Sequence, residues 1–295
     1  MLDPAEARHF ALRSLDRLLA EGWNAEHGMS HVIAYSDPQA EQRDIPVPGV
    51  LDDYAFAVIA CLDAYEATAD LSYFRFARSI GDAMVAGFFD SVDGGFFDTR
   101  VGASAGGASN GASDEKAALG ILGTRRKPFQ DSPTPAGNSA AGIALLRLHG
   151  YANDGSDNDG YRDKAERTLE VYAGVAGQHG IFAATYGLAV IRFSQPHTQV
   201  VVVGKDEVAT ELYRAAVRPL RLSMAVLRLD ADKAVAQNLP PALAGTIPSL
   251  PALDGGRSFD GRSFAVVCSG FACQPPIFDA QELGRALGSR ARPAA

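Results

Sequence analysis

Over the first two-thirds of the chain, hydrophobic and polar positions alternate with a helical period. In "GVLDDYAFAVIACLDAYEAT" the apolar residues Leu51, Tyr54, Ala55, Val58, Leu62 and Tyr65 recur at helical spacing, so one stripe of this segment faces a core. The next segment, "SYFRFARSIGDAMVAGFF", places Tyr73, Phe76, Ala77, Ile80 and Met84 on one face, with Ser72 in N-cap position. Together they predict an αα-hairpin closed by the short turn "ADL". The format then returns. Ala141, Ala144, Leu145 and Leu148 line one helix, and Tyr161, Ala165, Leu169, Tyr172 and Ala176 line its successor. With an opening helix from about Pro4 to Glu21 and another near Ile181 to Phe193, the pattern predicts roughly six helices in antiparallel pairs.

After Pro196 the period changes. "TQVVVVG" is a β-branched run, "KDEVATELYRAAVRPL" is helical and "LSMAVLRL" is strand-like, which predicts a small βαβ unit. "SFAVVC" adds a strand before a last helix, "DAQELGRAL", and the Pro/Gly-rich stretch between them reads as an irregular connector. The expected division is therefore an α-hairpin domain over residues 1–195 and a small α/β extension over 196–295, packed on it.

Composition narrows the function. A chain of 295 residues with 47% hydrophobic content can bury a large core. A net charge of −8 and the lack of a basic stripe argue against nucleic acid as a partner. No apolar run has the length of a membrane span and the N-terminus "MLDPAEARHF" does not read as a signal peptide, so no membrane partner and a cytoplasmic location are expected. Three cysteines, with no Cys-x-x-Cys, fit a reducing compartment. Cys268 and Cys273 read as a buried thiol pair, with reversible disulfide formation as the alternative. Too few ligands accompany them for zinc, so neither a metal nor a cofactor is expected.

Several clusters carry candidate chemistry. Asp52 and Asp53 occupy the first turn of a helix, where the macrodipole alone favours carboxylates; since adjacent helical residues diverge, one can cap while the other faces a cavity. "FFDSVDGGFFDT" joins two aromatic pairs, including Phe97, to Asp90, Asp93 and Asp98. Aromatic faces beside carboxylates suit a sugar, although Phe pairs at a hairpin end also serve as core. His31, in a loop before the Asp52–Asp53 helix, has the chemistry of a general acid or base, or is a surface residue. "GSDNDGYRDKAE" nearly matches a calcium loop, but Gly155 stands where the first ligand belongs, so a solvated turn is expected. "VVVVGKDE" lacks the glycine pattern of a nucleotide site. In "RRKPFQDSPTPAGNSAAGIALLRL", prolines and Gly137 explain the tight approach to a helix that Asn138 or Ser139 can cap. Asp131 and the basic run Arg125 to Lys127 remain without a structural reason.

"GVLDDYAFAV", "FFDSVDGGFFDT", "RRKPFQDSPTPAGNSAAGIALLRL" and "CSGFACQPP", in this order, resemble the thioredoxin-domain-containing, spermatogenesis-associated protein 20 family. Asp53 and Tyr54 match that family's acidic-Tyr-Ala helix start. Asp131, Pro135, Gly137, Asn138 and Ser139 match its Pro-Ser-Gly-Asn-Ser loop, with Ala136 replacing the usual serine. The resemblance implies an (α/α)6 toroid similar to six-hairpin glycosidases and N-acylglucosamine 2-epimerases. It also implies that this chain corresponds to the C-terminal portion, without the thioredoxin-like domain and the first hairpins.

The expectation is thus a mainly α protein of antiparallel α-hairpins forming part of an (α/α)6 toroid, with a small C-terminal α/β element. Its site is expected to use Asp53, Asp131 and His31 as catalytic groups, with Asp52, Tyr54, Phe97, Asp98, Asn138 and Ser139 binding a small sugar. A rival expectation is a non-catalytic half-toroid that pairs with itself or with a partner chain supplying the missing half.

Overall fold

A computed structural model describes residues 4–33, 47–100, 125–152, 160–247, 253–254, 257–258, 261–269 and 272–289. Helix α1 (Pro4–Gly22) leads into a small antiparallel pair, β1 (Trp23–Asn24) and β2 (Gly28–Met29). Helices α2 (Leu51–Thr68) and α3 (Leu71–Phe88) form the expected hairpin. All six residues of the α2 stripe are buried, none more than 1% exposed. The hairpin turns at Ala69, whose left-handed backbone lets its N–H donate to the Tyr65 carbonyl at 2.7 Å.

Two details of α3 differ from expectation. The cap is Asp70, whose carboxylate accepts from the Ser72 N–H at 2.9 Å, so Ser72 lies inside the first turn; a carboxylate placed two residues before that amide outcompetes the hydroxyl. Phe74, at 4% exposure, fills the core in place of the partly buried Phe76 and packs on Tyr65 and Tyr151.

Helix α4 (Gly137–Ala152) is the centre of the array, packed against α2, α3, α5 (Tyr161–Ala173) and α6 (Ala184–Ser194). Ala141, Ala144, Leu145 and Leu148 are fully buried, and Asn138, Ser139 and Arg147 are buried with them, because neighbours cover α4 on nearly every side. Each fully buried leucine contributes about 2 kcal/mol. Arg147 crosses to α2, pairing with Asp63 at 2.7 Å and Glu66 at 2.8 Å, and the Tyr151 hydroxyl donates to the same Glu66 oxygen at 3.1 Å. The stripe predicted to run to Ala176 stops earlier: α5 ends at Ala173, and 3-10 turns at Ala176–Gln178 and Gly180–Ala183 precede α6. Phe129 closes this end, stacked 4.8 Å from Tyr172 with nearly parallel rings.

The C-terminal third forms a four-stranded sheet in the order β4-β3-β7-β8. Strands β3 (Thr198–Val203) and β4 (Met224–Leu229) are parallel and joined through α7 (Glu207–Val217), the βαβ unit read from the sequence. Strand β7 (Phe264–Ser269) runs antiparallel to β3, and β8 (Ala272–Cys273) antiparallel to β7. The unbroken valines of β3 have a physical cause: both faces are covered. Val201 and Val203 join the core of the helical array, whereas Val200 and Val202 pack with Leu212 of α7 and Leu283 and Leu287 of a last helix. The connector holds a short helix, α8 (Pro241–Ala244), and a two-residue antiparallel pair, β5 (Leu253–Asp254) with β6 (Arg257–Ser258). The last helix is α9 (Ala280–Ser289).

The cysteines correct the thiol-pair expectation. Cys268 and Cys273 face one another across the β7–β8 ladder, with Cα atoms 4.0 Å apart, and are joined by a disulfide; Cys61 is a buried thiol. The case for a reducing compartment therefore loses its support from cysteine usage. No helix among the described residues is long and apolar enough to cross a membrane. The first five residues of the near-calcium stretch, 155–159, lie outside the described residues, and the rest of it, from Gly160, leads into α5.

Candidate functional site

The first turn of α2 is built by segments distant in sequence. Asp53 reaches back to accept from the Val50 N–H at 2.8 Å, closing the turn, and the same Oδ2 accepts from His31 Nδ1 at 2.9 Å. His31 is placed there by the strand-like pairing of Ser30 with Pro48 and by its own N–H, which donates to the Val47 carbonyl at 2.8 Å. The Asp98 carbonyl accepts from the Leu51 N–H at 3.0 Å, and Asp98 Oδ1 accepts from the Arg126 N–H at 3.0 Å. His31, Asp52, Asp53 and Asp98 thus converge on one helix end.

Asp52 differs from its neighbours. It is half-buried and makes no hydrogen bond among the described residues. Burial, and then the charges of Asp53 and Asp98, raise its carboxyl from the ordinary carboxylate value, with His31 opposing them. Its Oδ1 lies against the bare α-carbon of Gly137, where a Cβ would stand 2.1 Å away. Gly137 therefore leaves room for this carboxylate at the start of α4.

A second layer comes from the hairpin Phe88–Phe97. Gly94 and Gly95 both have positive φ, and at Gly94 a Cβ would also meet the Arg167 carbonyl at 2.7 Å, so the double glycine is dictated by the turn. Phe97 leaves this hairpin half-buried, with the Arg125 guanidinium 4.0 Å above its ring and Lys127 Nζ at 4.9 Å. Lys127 also pairs with Asp90 at 2.7 Å, which holds the Asp90 carboxyl down to about 2. Arg125 donates to the Thr99 carbonyl at 2.9 Å, while its Nη2 is buried without a partner among the described residues.

The remaining predicted residues are set back from this cluster. Asn138 is fully buried: its oxygen accepts from the Phe96 N–H at 2.6 Å, and its amide donates to the Phe96 and Pro128 carbonyls at 2.9 and 2.8 Å. Its hydrogen-bonding capacity goes to tying the hairpin to α4. Ser139 is buried, its hydroxyl without a partner among the described residues. Tyr54 points into the core between Trp23 and Phe88, and its hydroxyl accepts from the Met29 N–H at 2.9 Å. Asp131 accepts from the Ala136 N–H at 2.8 Å with one oxygen and from the Thr185 N–H at 2.7 Å with the other. It clamps the approach of α4 to the start of α6, and both oxygens are committed.

The basic run at Arg125 to Lys127 is therefore the part of the site that composition alone could not place. Its signal was the absence of any local role for three successive cations beside a conspicuous aromatic-acidic hairpin. No group of three or more His, Cys, Asp or Glu side chains suited to a metal ion occurs among the described residues.

Fold and site together define a mainly helical α-hairpin protein with a carboxylate-lined helix end and an appended mixed sheet. No protein-family model matches the chain. Curated proteins do match: it is 28% identical over 249 residues to spermatogenesis-associated protein 20 of Homo sapiens, 28% over 250 residues to that of Rattus norvegicus and 27% over 249 residues to that of Mus musculus. The resemblance read from the sequence is upheld: the chain is similar to spermatogenesis-associated protein 20 over most of its own length. Each alignment covers 84% of this chain but 28% of the relative, so the chain spans little more than a quarter of their length.

Proposed function

We propose that α1 to α6 form part of an α/α toroid whose acidic end binds a sugar and transfers a proton to or from it, in the manner of an epimerase or a glycoside hydrolase. The observation that carries this reading is Asp52: a half-buried carboxyl group without a hydrogen-bond donor among the described residues, with its proton affinity raised by burial. Such a group suits a general acid, because its protonated form persists closer to neutral pH. His31, oriented through Nδ1 by Asp53, is the complementary base. Asp98 offers hydrogen bonds to sugar hydroxyls, and Asp131 and Asn138 enter as supports that hold the loops in place.

Saturation-transfer NMR against a panel of mono- and disaccharides tests this reading. Transfer to at least one sugar is expected, and its loss in Asp52→Ala. A folded protein that transfers magnetisation to none of them overturns it.

A second reading, a module that docks on a further α-hairpin, is favoured by the surface around α5 and α6. Val171, Val175, Ile181, Phe182, Leu188 and Ile191 are exposed there, between 37% and 81% of their surface. Light scattering on the purified chain decides between a self-pair, which would double the mass, and a monomer that awaits a separate partner.

A further inference from the structure

A cavity of about 370 Å³ lies between α4, α6 and the sheet, and none of the residues of the Asp52–Asp53 end of α2 lines it. Its size is that of a small-metabolite site. Its charge is opposite to that of the chain: Arg162, Arg192, His149 and His197 line it and, among the described residues, no carboxylate does, in a protein with net charge −8. The Cys268–Cys273 disulfide, Gln199 and Ser223 complete the wall.

Arg192, Arg162 and His197 keep polar groups available to a ligand. The Arg192 guanidinium makes no hydrogen bond among the described residues; burial first, and then the charge of Arg147, lower it to about 10. The nearby carboxylates, Asp63 and Glu66, are already paired with Arg147. Arg162 is braced 4.3 Å over the Phe193 ring and reaches the Phe193 carbonyl only at 3.4 Å. His197 packs on Tyr151 and against the α-carbon of Gly150, with Nε2 buried and unpartnered among the described residues. Burial and the two arginines Arg192 and Arg147 hold this ring neutral down to about pH 3. At neutral pH it therefore offers a hydrogen bond without adding repulsion.

We propose that this cavity is a separate binding site for a small organic anion carrying a phosphate or carboxylate group. Arg192 and Arg162 neutralise the anion by charge-assisted hydrogen bonds, and His197 Nε2 and Ser223 contact the rest of the ligand. The proposal rests on the cavity and not on the reading of the α2 end.

Calorimetric titration with inorganic phosphate, glucose 6-phosphate, citrate and neutral glucose tests it. Saturable heat is expected from at least one anion, weakening with added salt, and a loss of at least about tenfold in affinity is expected in Arg192→Gln. Asp52→Asn is expected to bind the same anion unchanged, which separates this site from the proposed sugar end. Should Arg192→Gln fail to fold, Arg162→Gln, whose head rests on an aromatic face, carries the same expectation. Failure of every anion to bind folded wild-type protein at about 10 mM overturns the proposal. So does unchanged affinity in whichever arginine variant folds.

Discussion

Asp52 Oδ1 lies against the α-carbon of Gly137, so that the first turn of α2 and the first residue of α4 share a space that any larger residue would close. Gly137→Ala is expected to leave the helical array folded, since alanine suits a helix. It would force the Asp52 carboxylate aside, because the added carbon would stand 2.1 Å from it. The expected result is weakened saccharide binding with a far-ultraviolet circular dichroism spectrum like that of wild type. Full binding by this variant would show that the position of Asp52 is not critical.

The raised affinity of Asp52 for a proton has a definite consequence for stability. Between the usual carboxylate value of 3.8 and its higher value in the folded state, the native protein holds more protons at this site than the unfolded chain does. Stability contributed by this site therefore falls as pH rises through that window, and the ionised group is a net cost at neutral pH. Asp52→Asn is expected to stabilise the protein at pH 7, with the gain vanishing below the usual carboxylate value of 3.8. Urea unfolding at several pH values measures it, and a variant less stable than wild type at pH 7 would contradict the assignment.

Asp131 behaves differently under substitution. Asp131→Ala removes the acceptor of two amides, those of Ala136 and Thr185, and is expected to cost about 2 kcal/mol in denaturant unfolding. A loss of ligand binding with unchanged stability would instead mark it as a reacting group.

The cysteines give a chemical readout. When the chain is denatured without reductant and alkylated, mass spectrometry is expected to find one modified cysteine, Cys61, out of three, and all three after reduction. Three modified residues without reductant would mean that Cys268 and Cys273 are thiols.

Much of the fold was legible because its cause is local. The α2 stripe from Leu51 to Tyr65 and the uninterrupted valines of β3 state their own burial, as period and β-branching require. Asp52, Asp53, Asp98 and His31 could be singled out by residue type and position, and the structure brings them together. What could not be read depends on pairing across long separations. Thr185 is 54 residues from the Asp131 that it binds, and nothing near either announces the bond. Arg125 lies over the Phe97 ring, a contact between residues far apart in the sequence. The disulfide follows from the β7–β8 register, which periodicity cannot reveal because β8 is two residues long.

Sugar binding at the α2 end through Asp52 is measured by isothermal titration of a saccharide panel into wild-type and Asp52→Asn protein. Measurable heat is expected from at least one saccharide with the wild type, and binding weaker by at least about tenfold, or about 1.4 kcal/mol, in the variant. Equal affinity in the two proteins, or no heat from any saccharide with folded wild type, would contradict it.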